Sequence, residues 1–374
     1  MRIGIITFHK ANNCGALLQA WALKTVVERL GHTVTFPNLN VVGYEKTWHA
    51  AMPKGMGGYM YILRVAGKIL RDVMAIGVGD VRYRRFNEFR RQHLREVDCH
   101  VREMGEHYDC IIVGSDQVWN EAITQNDAPL FFAEEIDPGM HKIAYAASCG
   151  DEVPAGKALD HVVEAIQRFN KVSFRERACS EKMARILNRD RREMPVVLDP
   201  SLLLTSLDYD KIACGKIPRE PYLFMYLLST NKYSIDIARK LAQRLGVRCI
   251  IAPVSYVTRF KEPRGLTGGI SPDRLVCLTK HAKYIVSASF HGTVMGLLFN
   301  KPFLSVRAVI DKHETRIESL LNLLGMRERI VNPSVSEEKM VKLLNEPLPK
   351  ELPARLETLR QGSLKWLTSA LDEI

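Results

Sequence analysis

The chain alternates short apolar runs with longer stretches whose apolar residues recur every three or four positions. Residues 2–7 form a brief β-branched run ending in polar residues, the pattern of a buried strand. Residues 15–30 place Leu17, Leu18, Trp21, Ala22, Val26 and Leu30 at helical spacing, and Gly31 ends the run. Residues 33–36 then give a second strand. Strand, loop, helix and strand in that order open a doubly wound parallel sheet. Further strands are predicted at 110–113, 143–147, 172–174 and 196–198. Residues 38–103 are harder to read, with Gly55, Gly57 and Gly58 marking a loop before a helical run.

A polar, irregular tract follows the Asp199-Pro200 pair, and the alternation then restarts. Strands are predicted at 222–227, 248–251, 284–287 and 303–306, with helices at 233–245, 272–281, 293–299 and 315–324. A long helix over 352–371 closes the pattern. The expectation is an α/β protein with two Rossmann-like lobes, 1–203 and 204–345, and a helical tail, 346–374. In such folds ligands bind where the carboxyl ends of the strands face a shared crevice.

Composition narrows the class. Hydrophobic residues make up 46% of the 374 and charged residues 25%, a mixture that excludes intrinsic disorder. No stretch approaches the roughly 18 apolar residues of a membrane span, and the amino terminus lacks the plan of a secretory signal. A cytoplasmic protein is expected. The eight cysteines form no CxxC or Cys/His cluster, so no metal site is expected and a reducing compartment fits.

The balance of 53 basic against 42 acidic residues, net +11, favours anionic partners. Its densest run is Arg82, Arg84, Arg85, Arg90, Arg91 and Arg95, opposed by Glu88 alone. Phe86, Phe89 and Leu94 fall at near-helical spacing within it, giving one apolar and one cationic face. That face reads as a solvated helix surface or as a peripheral contact with an anionic membrane. No nucleic-acid-binding pattern accompanies it, so no nucleic acid partner is expected.

Four strand-end segments carry candidate chemistry. The first holds His9, Lys10, Asn12, Asn13 and Gly15 between a strand end and a helix start, where backbone N–H groups are free. It reads either as a substrate-binding loop or as a turn capped by Asn; it lacks P-loop spacing. The second, Gly114-Ser115-Asp116-Gln117-Val118-Trp119-Asn120, offers Trp119 for stacking on a sugar ring and Asp116 as acceptor of a hydroxyl proton. The competing reading makes Asp116 a helix cap and Trp119 core. In the third, Arg175 at a strand end can grip a carboxylate or phosphate by its rigid fork, or pair with Glu176 in a structural bridge.

The fourth segment is the sharpest. In Ser287-Ala288-Ser289-Phe290-His291-Gly292-Thr293 an apolar strand ends in serines, and a His-Gly-Thr turn opens a helix. A phosphate there meets helix N–H groups, the hydroxyls of Ser289 and Thr293, Gly292 and the imidazole of His291, which titrates near neutrality. Lys312 and Arg316, just downstream, can add cations or simply charge a helix start.

Together these segments resemble the polysaccharide pyruvyl transferase family. The resemblance rests on Gly4-Ile5-Ile6-Thr7-Phe8-His9 through Gly15-Ala16-Leu17-Leu18-Gln19-Ala20, then residues 109–120, 144–150, 173–176 and 198–204, and finally 289–293 with Lys301-Pro302-Phe303. It runs in register from residue 1 to about residue 330. It implies a two-lobed fold like the glycosyltransferase B type. It also implies transfer of the pyruvyl group of phosphoenolpyruvate to sugar hydroxyls, forming a ketal on a surface polysaccharide or its lipid-linked precursor.

By position, Arg175 would hold the donor carboxylate or phosphate and His291 would act as general acid at the donor phosphate. Ser289, Gly292, Thr293, Lys312 and Arg316 complete the expected donor site. His9, Asn12, Asn13, Gly15, Ser115, Gln117 and Trp119 are the expected acceptor side, and Asp116 the base, an assignment made from its own chemistry. Such chemistry needs phosphoenolpyruvate as co-substrate and no further cofactor or obligatory metal. The expected partners are that donor and a sugar or lipid-linked oligosaccharide; a homo-oligomer is compatible with the sequence. The alternatives are a glycosyltransferase with a nucleotide-sugar donor and a non-catalytic carbohydrate-binding protein.

Overall fold

Two sheets, both entirely parallel, organise the molecule in a computed structural model that describes residues 1–39, 78–150, 153–227, 232–252, 270–307 and 316–374. The first lobe contains β1 (Arg2–Ile6), α1 (Cys14–Arg29), β2 (Thr33–Pro37), α2 (Val78–His93), β3 (Glu96–Val97), β4 (Cys110–Asp116), β5 (His141–Ala147), α3 (Lys157–Arg168), β6 (Lys171–Phe174) and α4 (Arg177–Ile186). Its strand order is β3-β2-β1-β4-β5-β6. The register runs through Ile3 opposite Val34 on one side of β1 and Ile5 opposite Ile112 on the other. Both partners of the central strand are buried, which is why these strands read as continuous apolar runs and not as alternating ones.

The second lobe contains β7 (Tyr222–Tyr226), α5 (Lys232–Arg244), β8 (Arg248–Ala252), α6 (Pro272–His281), β9 (Tyr284–Ser287), α7 (Phe290–Leu298), β10 (Phe303–Val306), α8 (Arg316–Leu323), β11 (Ile330–Val331) and α9 (Glu337–Asn345). Its order is β11-β10-β9-β7-β8. In each sheet the winding reverses beside a strand pair, β1/β4 in the first and β7/β9 in the second, and such switch points open a crevice at the carboxyl ends.

The last helix, α10 (Leu352–Asp372), folds back on the first lobe. There Ser363 Oγ accepts from the Leu198 N–H at 3.0 Å, and Arg360 Nε donates to the Leu202 carbonyl at 2.9 Å. Leu17 of α1, Val276 of α6 and Leu367 of α10 are fully buried in one continuous apolar cluster, so the lobes share a core. Burying one such side chain is worth roughly 1.5–3 kcal/mol.

Two expectations change. The strand predicted at 196–198 shrinks to a single bridge between Phe174 and Val196, because Pro195 and Pro200 bracket the segment and neither can donate a ladder hydrogen bond. The helix predicted from residue 293 begins at Phe290, so His291, Gly292 and Thr293 occupy its first turn instead of a preceding loop. The predicted donor-site residue Lys312 and the loop glycines Gly55, Gly57 and Gly58 lie outside the described residues. Among the described residues no helix is long and apolar enough to cross a membrane, and no group of three or more His, Cys, Asp or Glu could hold a metal ion.

Candidate functional site

β9 delivers the first component. Its apolar run ends at Ser287, whose Oγ accepts from the Ser289 N–H at 3.0 Å and so turns the chain into α7. Gly292 allows that turn: a Cβ there would meet Ser287 Oγ at 2.2 Å. His291 is thereby held, buried, at the edge facing the first lobe. Its Nδ1 side rests on Gly15 at the start of α1, where a Cβ would lie 2.2 Å away. Its Nε2 faces Asp199 Oδ2 at 3.8 Å.

β6 delivers the second. Arg175 follows its carboxyl end, buried, with Nη1 donating to Asp199 Oδ2 at 2.9 Å and Nε to Glu176 Oε1 at 3.1 Å. Asp116, at the end of β4, stands 3.5 Å from the same Nη1. The guanidinium also lies 4.8 Å from the ring centroid of Phe290, a contact between lobes. Glu176 is tied in turn to Ser148 Oγ at 2.6 Å. Asp199 is anchored on its other oxygen by the Ser201 N–H at 3.0 Å and the Ser201 hydroxyl at 2.5 Å.

Electrostatics follow from that geometry. Burial pulls the His291 imidazole below its ordinary pKa, while Asp199 and Asp116 pull it back up and Arg175 and Arg316 oppose them. Burial also works against the Asp199 carboxylate, yet His291, Arg175 and Ser201 outweigh it and keep it ionised below the usual carboxylate value. Glu176 is pushed up by burial despite Arg175 and Ser148. Arg175 remains charged: burial is overcome by Glu176, Asp116 and Asp199.

Several buried polar atoms here have no hydrogen-bond partner among the described residues: Arg175 Nη2, His291 Nε2, Ser289 Oγ and Glu176 Oε2. A buried polar atom left without a partner is costly, about 1–3 kcal/mol each, so such atoms call for a water, an ion or a ligand to complete them. The arrangement suits an anion with a reacting centre beside it. It supplies a fixed guanidinium, a buried imidazole and a hydroxyl.

Other predicted site residues turn out to have structural work. Trp119 is a correction: its indole N–H donates to the Phe131 carbonyl at 3.2 Å and its ring packs edge-on against Phe169 and Phe174, leaving no face for a sugar. Asn13 caps α1, accepting from the Gly15 and Ala16 N–H groups, so these donors are not offered to the cleft as the loop reading expected. Asn12 Oδ1 accepts from Arg90 at 2.6 Å. His9 is buried against Phe36 with Nδ1 on the Thr7 carbonyl. Arg90 also donates to the carbonyls of His9 and Lys10, so one arginine of the basic run points inward as a brace for the first loop.

Thr293 Oγ1 is spent on the Ser289 carbonyl and Ser305, not on a phosphate. Ser115 Oγ, fully buried, lies 3.0 Å from the Ala146 carbonyl and 3.3 Å from Asp199. Gln117 is half-buried and accepts from Asn120 at 3.0 Å. Arg316 opens α8, and its charge reaches both His291 and Glu176.

The sequence reading missed Asp199 and the Ser148–Glu176 link. Its available signal was a carboxylate placed directly after an apolar run, Val196-Val197-Leu198, where strand ends gather. That segment marked the boundary between lobes and one stretch of the family resemblance, with no role given to the carboxylate.

Among solved structures, UDP-GlcNAc 2-epimerase from Neisseria meningitidis bound to UDP-GlcNAc superposes with a TM-score of 0.53 at 10% identity, with 100% of each chain covered. Spinosyn rhamnosyltransferase SpnG gives 0.49 at 12% identity, again over 100% of both chains. No curated protein matches in sequence. At such identity the epimerase likeness speaks for the fold alone, two Rossmann-like lobes of the glycosyltransferase B type. In sequence, residues 13–307, a stretch that includes Arg175, Asp199 and His291, are matched by the model of the polysaccharide pyruvyl transferase family, and the chain belongs to that family of transferases.

Proposed function

We propose that the protein transfers the pyruvyl group of phosphoenolpyruvate to two hydroxyls of a sugar, forming a ketal and releasing inorganic phosphate. The observation that carries this reading is the meeting of Arg175 and His291 on one carboxylate between strand ends of both lobes, each with a buried nitrogen still unpartnered among the described residues.

In this scheme Arg175 Nη2 and the charge of Arg316 receive the donor carboxylate or phosphate. Entry of that anion raises the affinity of His291 for a proton. Protonated His291 passes the proton to the donor methylene, which becomes a methyl group and leaves an oxocarbenium-like carbon. A sugar hydroxyl attacks that carbon and loses its proton to a base, for which Asp116 is the candidate. Phosphate then departs as the second hydroxyl closes the ketal and loses its own proton. Each step needs proton transfer and charge stabilisation only. The acceptor is a surface polysaccharide or its lipid-linked precursor, reached on the cytoplasmic side, with peripheral membrane contact through the exposed face of α2.

A thermal-shift titration tests the donor. Phosphoenolpyruvate is expected to raise the melting temperature, since a ligand that binds only the folded state stabilises it. The rise is expected to shrink in Arg175→Ala and His291→Ala. A rise with a nucleotide sugar and none with phosphoenolpyruvate would replace this reading with ordinary glycosyl transfer.

A further inference from the structure

We infer that Asp199 is a positioning residue of this site: its carboxylate, anchored on one oxygen by Ser201, uses the other to fix the Arg175 guanidinium and to face the His291 imidazole, joining the anion-gripping group of one lobe to the proton-bearing group of the other. The inference rests on the reading of His291 as proton donor, and it adds a residue that neither motif analysis nor the strand-end pattern assigned.

Three features carry it. Asp199 is 1% exposed, so its charge is fully committed to protein partners. Its two oxygens are divided: Oδ1 is saturated by the Ser201 N–H and hydroxyl, which fixes the carboxyl plane, while Oδ2 is turned to Arg175 at 2.9 Å and His291 at 3.8 Å. The residue is also placed by rigid chain. Pro200 follows it at the start of a short 3-10 turn, and Leu198 before it is pinned to Ser363 of α10. A carboxylate so restrained does not follow its partners. It dictates where they stand.

The charged groups facing the imidazole are Asp199 and Asp116, which favour its protonated form, and Arg175 and Arg316, which oppose it. Asp199 has a different place in this set from Asp116. It contacts both the imidazole and the guanidinium, so loss of its charge alters the imidazole's proton affinity and the guanidinium's orientation together.

The test is an NMR titration of the full-length protein carrying isotope-labelled histidine, with no donor present. His291 is assigned by the signal lost in His291→Gln. In Asp199→Asn, which keeps the side-chain shape and removes the charge, His291 is expected to titrate at least one pH unit lower, a tenfold weaker hold on its proton. An unchanged or higher titration would overturn the inference. If Asp199→Asn does not fold, Ser115→Ala removes only the neutral hydroxyl 3.3 Å from Oδ2 and leaves the carboxylate less shielded. His291 is then expected to titrate higher, and an unchanged or lower value would overturn it.

Turnover separates this idea from the proposed reaction. With phosphoenolpyruvate and a working acceptor, the pH profile of kcat in Asp199→Asn should move down in step with the imidazole, and the KM for the donor should rise as the Arg175 guanidinium loses its anchor. A parent protein inert toward phosphoenolpyruvate would end the pyruvyl-transfer reading, while the donor-free titration would still decide the role of Asp199.

Discussion

The imidazole of His291, carried by the second lobe, lies against Gly15 of the first so closely that a methyl group on Gly15 would stand 2.2 Å from Nδ1. The two lobes therefore meet through a side chain on a bare backbone. Gly15 sits in the first turn of α1, where Ala would otherwise favour the helix by about 1 kcal/mol. Gly15→Ala is accordingly expected to leave the melting temperature within a few degrees of the parent while lowering kcat/KM about 100-fold. Misplacing a reacting group by an ångström has that order of effect. Steady-state kinetics beside a thermal melt would show it, and parental activity in the variant would mean that this contact does not position the imidazole.

Donor binding should carry a proton with it. Burial holds His291 below its ordinary pKa in the free site, and the charge of a bound phosphate ester is expected to favour the protonated form. Affinity for phosphoenolpyruvate is thus expected to weaken as pH rises above the lowered pKa of the free imidazole, by up to tenfold per pH unit for one linked proton. Calorimetry in two buffers of different ionisation heat reads the proton directly. Equal observed heats in the two buffers would mean that no proton is taken up and would place His291 away from the donor.

Trp119 belongs to the core. Trp119→Ala should cost about 3–5 kcal/mol in denaturant-induced unfolding, the usual price of a large buried aromatic. Trp119→Phe fills most of the volume, loses the bond to the Phe131 carbonyl, and should keep the acceptor KM within a few-fold of the parent. A KM raised 100-fold in the Phe variant with unchanged stability would restore the stacking role.

His9 makes the fold sensitive to acid. Burial, only partly offset by its bond to the Thr7 carbonyl, brings its pKa down to about 3 from an ordinary value near 6.5. The folded state therefore holds fewer protons than the unfolded state between these values. The stability that neutral His9 contributes is full above pH 6.5 and falls as pH drops toward 3, by about 1.4 kcal/mol per pH unit at most. His9→Phe keeps the ring contact with Phe36 and should flatten that slope in chemical unfolding measured from pH 7 to pH 4. An unaltered slope would assign the acid sensitivity to other groups.

Much of the fold was legible because its elements obey local rules. The strand at 284–287 and the helix at 272–281 appear with the predicted bounds, since an apolar β-branched run and a proline-started amphipathic stretch depend on their own residues. The 196–198 segment misled for a related reason: its apolar run looks like a strand, but its bracketing prolines limit pairing to one bridge. Arg175 and His291 were legible at strand ends, and the structure brings both onto one carboxylate. Asn12, Asn13, Thr293 and Trp119 were ambiguous because amides, hydroxyls and indoles serve caps and cores as readily as ligands. Only their partners separate those uses.

The sequence by itself determined the alternation of strands and helices, the loop residues at their ends and the cationic and proton-bearing candidates, because each depends on neighbours a few positions away. The tertiary structure alone decided which candidates meet. Arg175 and Asp199 are separated by 24 positions, and His291 lies far beyond both, yet Asp199 Oδ2 faces both of the others. It likewise decided that Gly15 must carry no side chain, since the atom that excludes one belongs to a different lobe. Contacts of that range are set by how two sheets pack, and no local pattern encodes them.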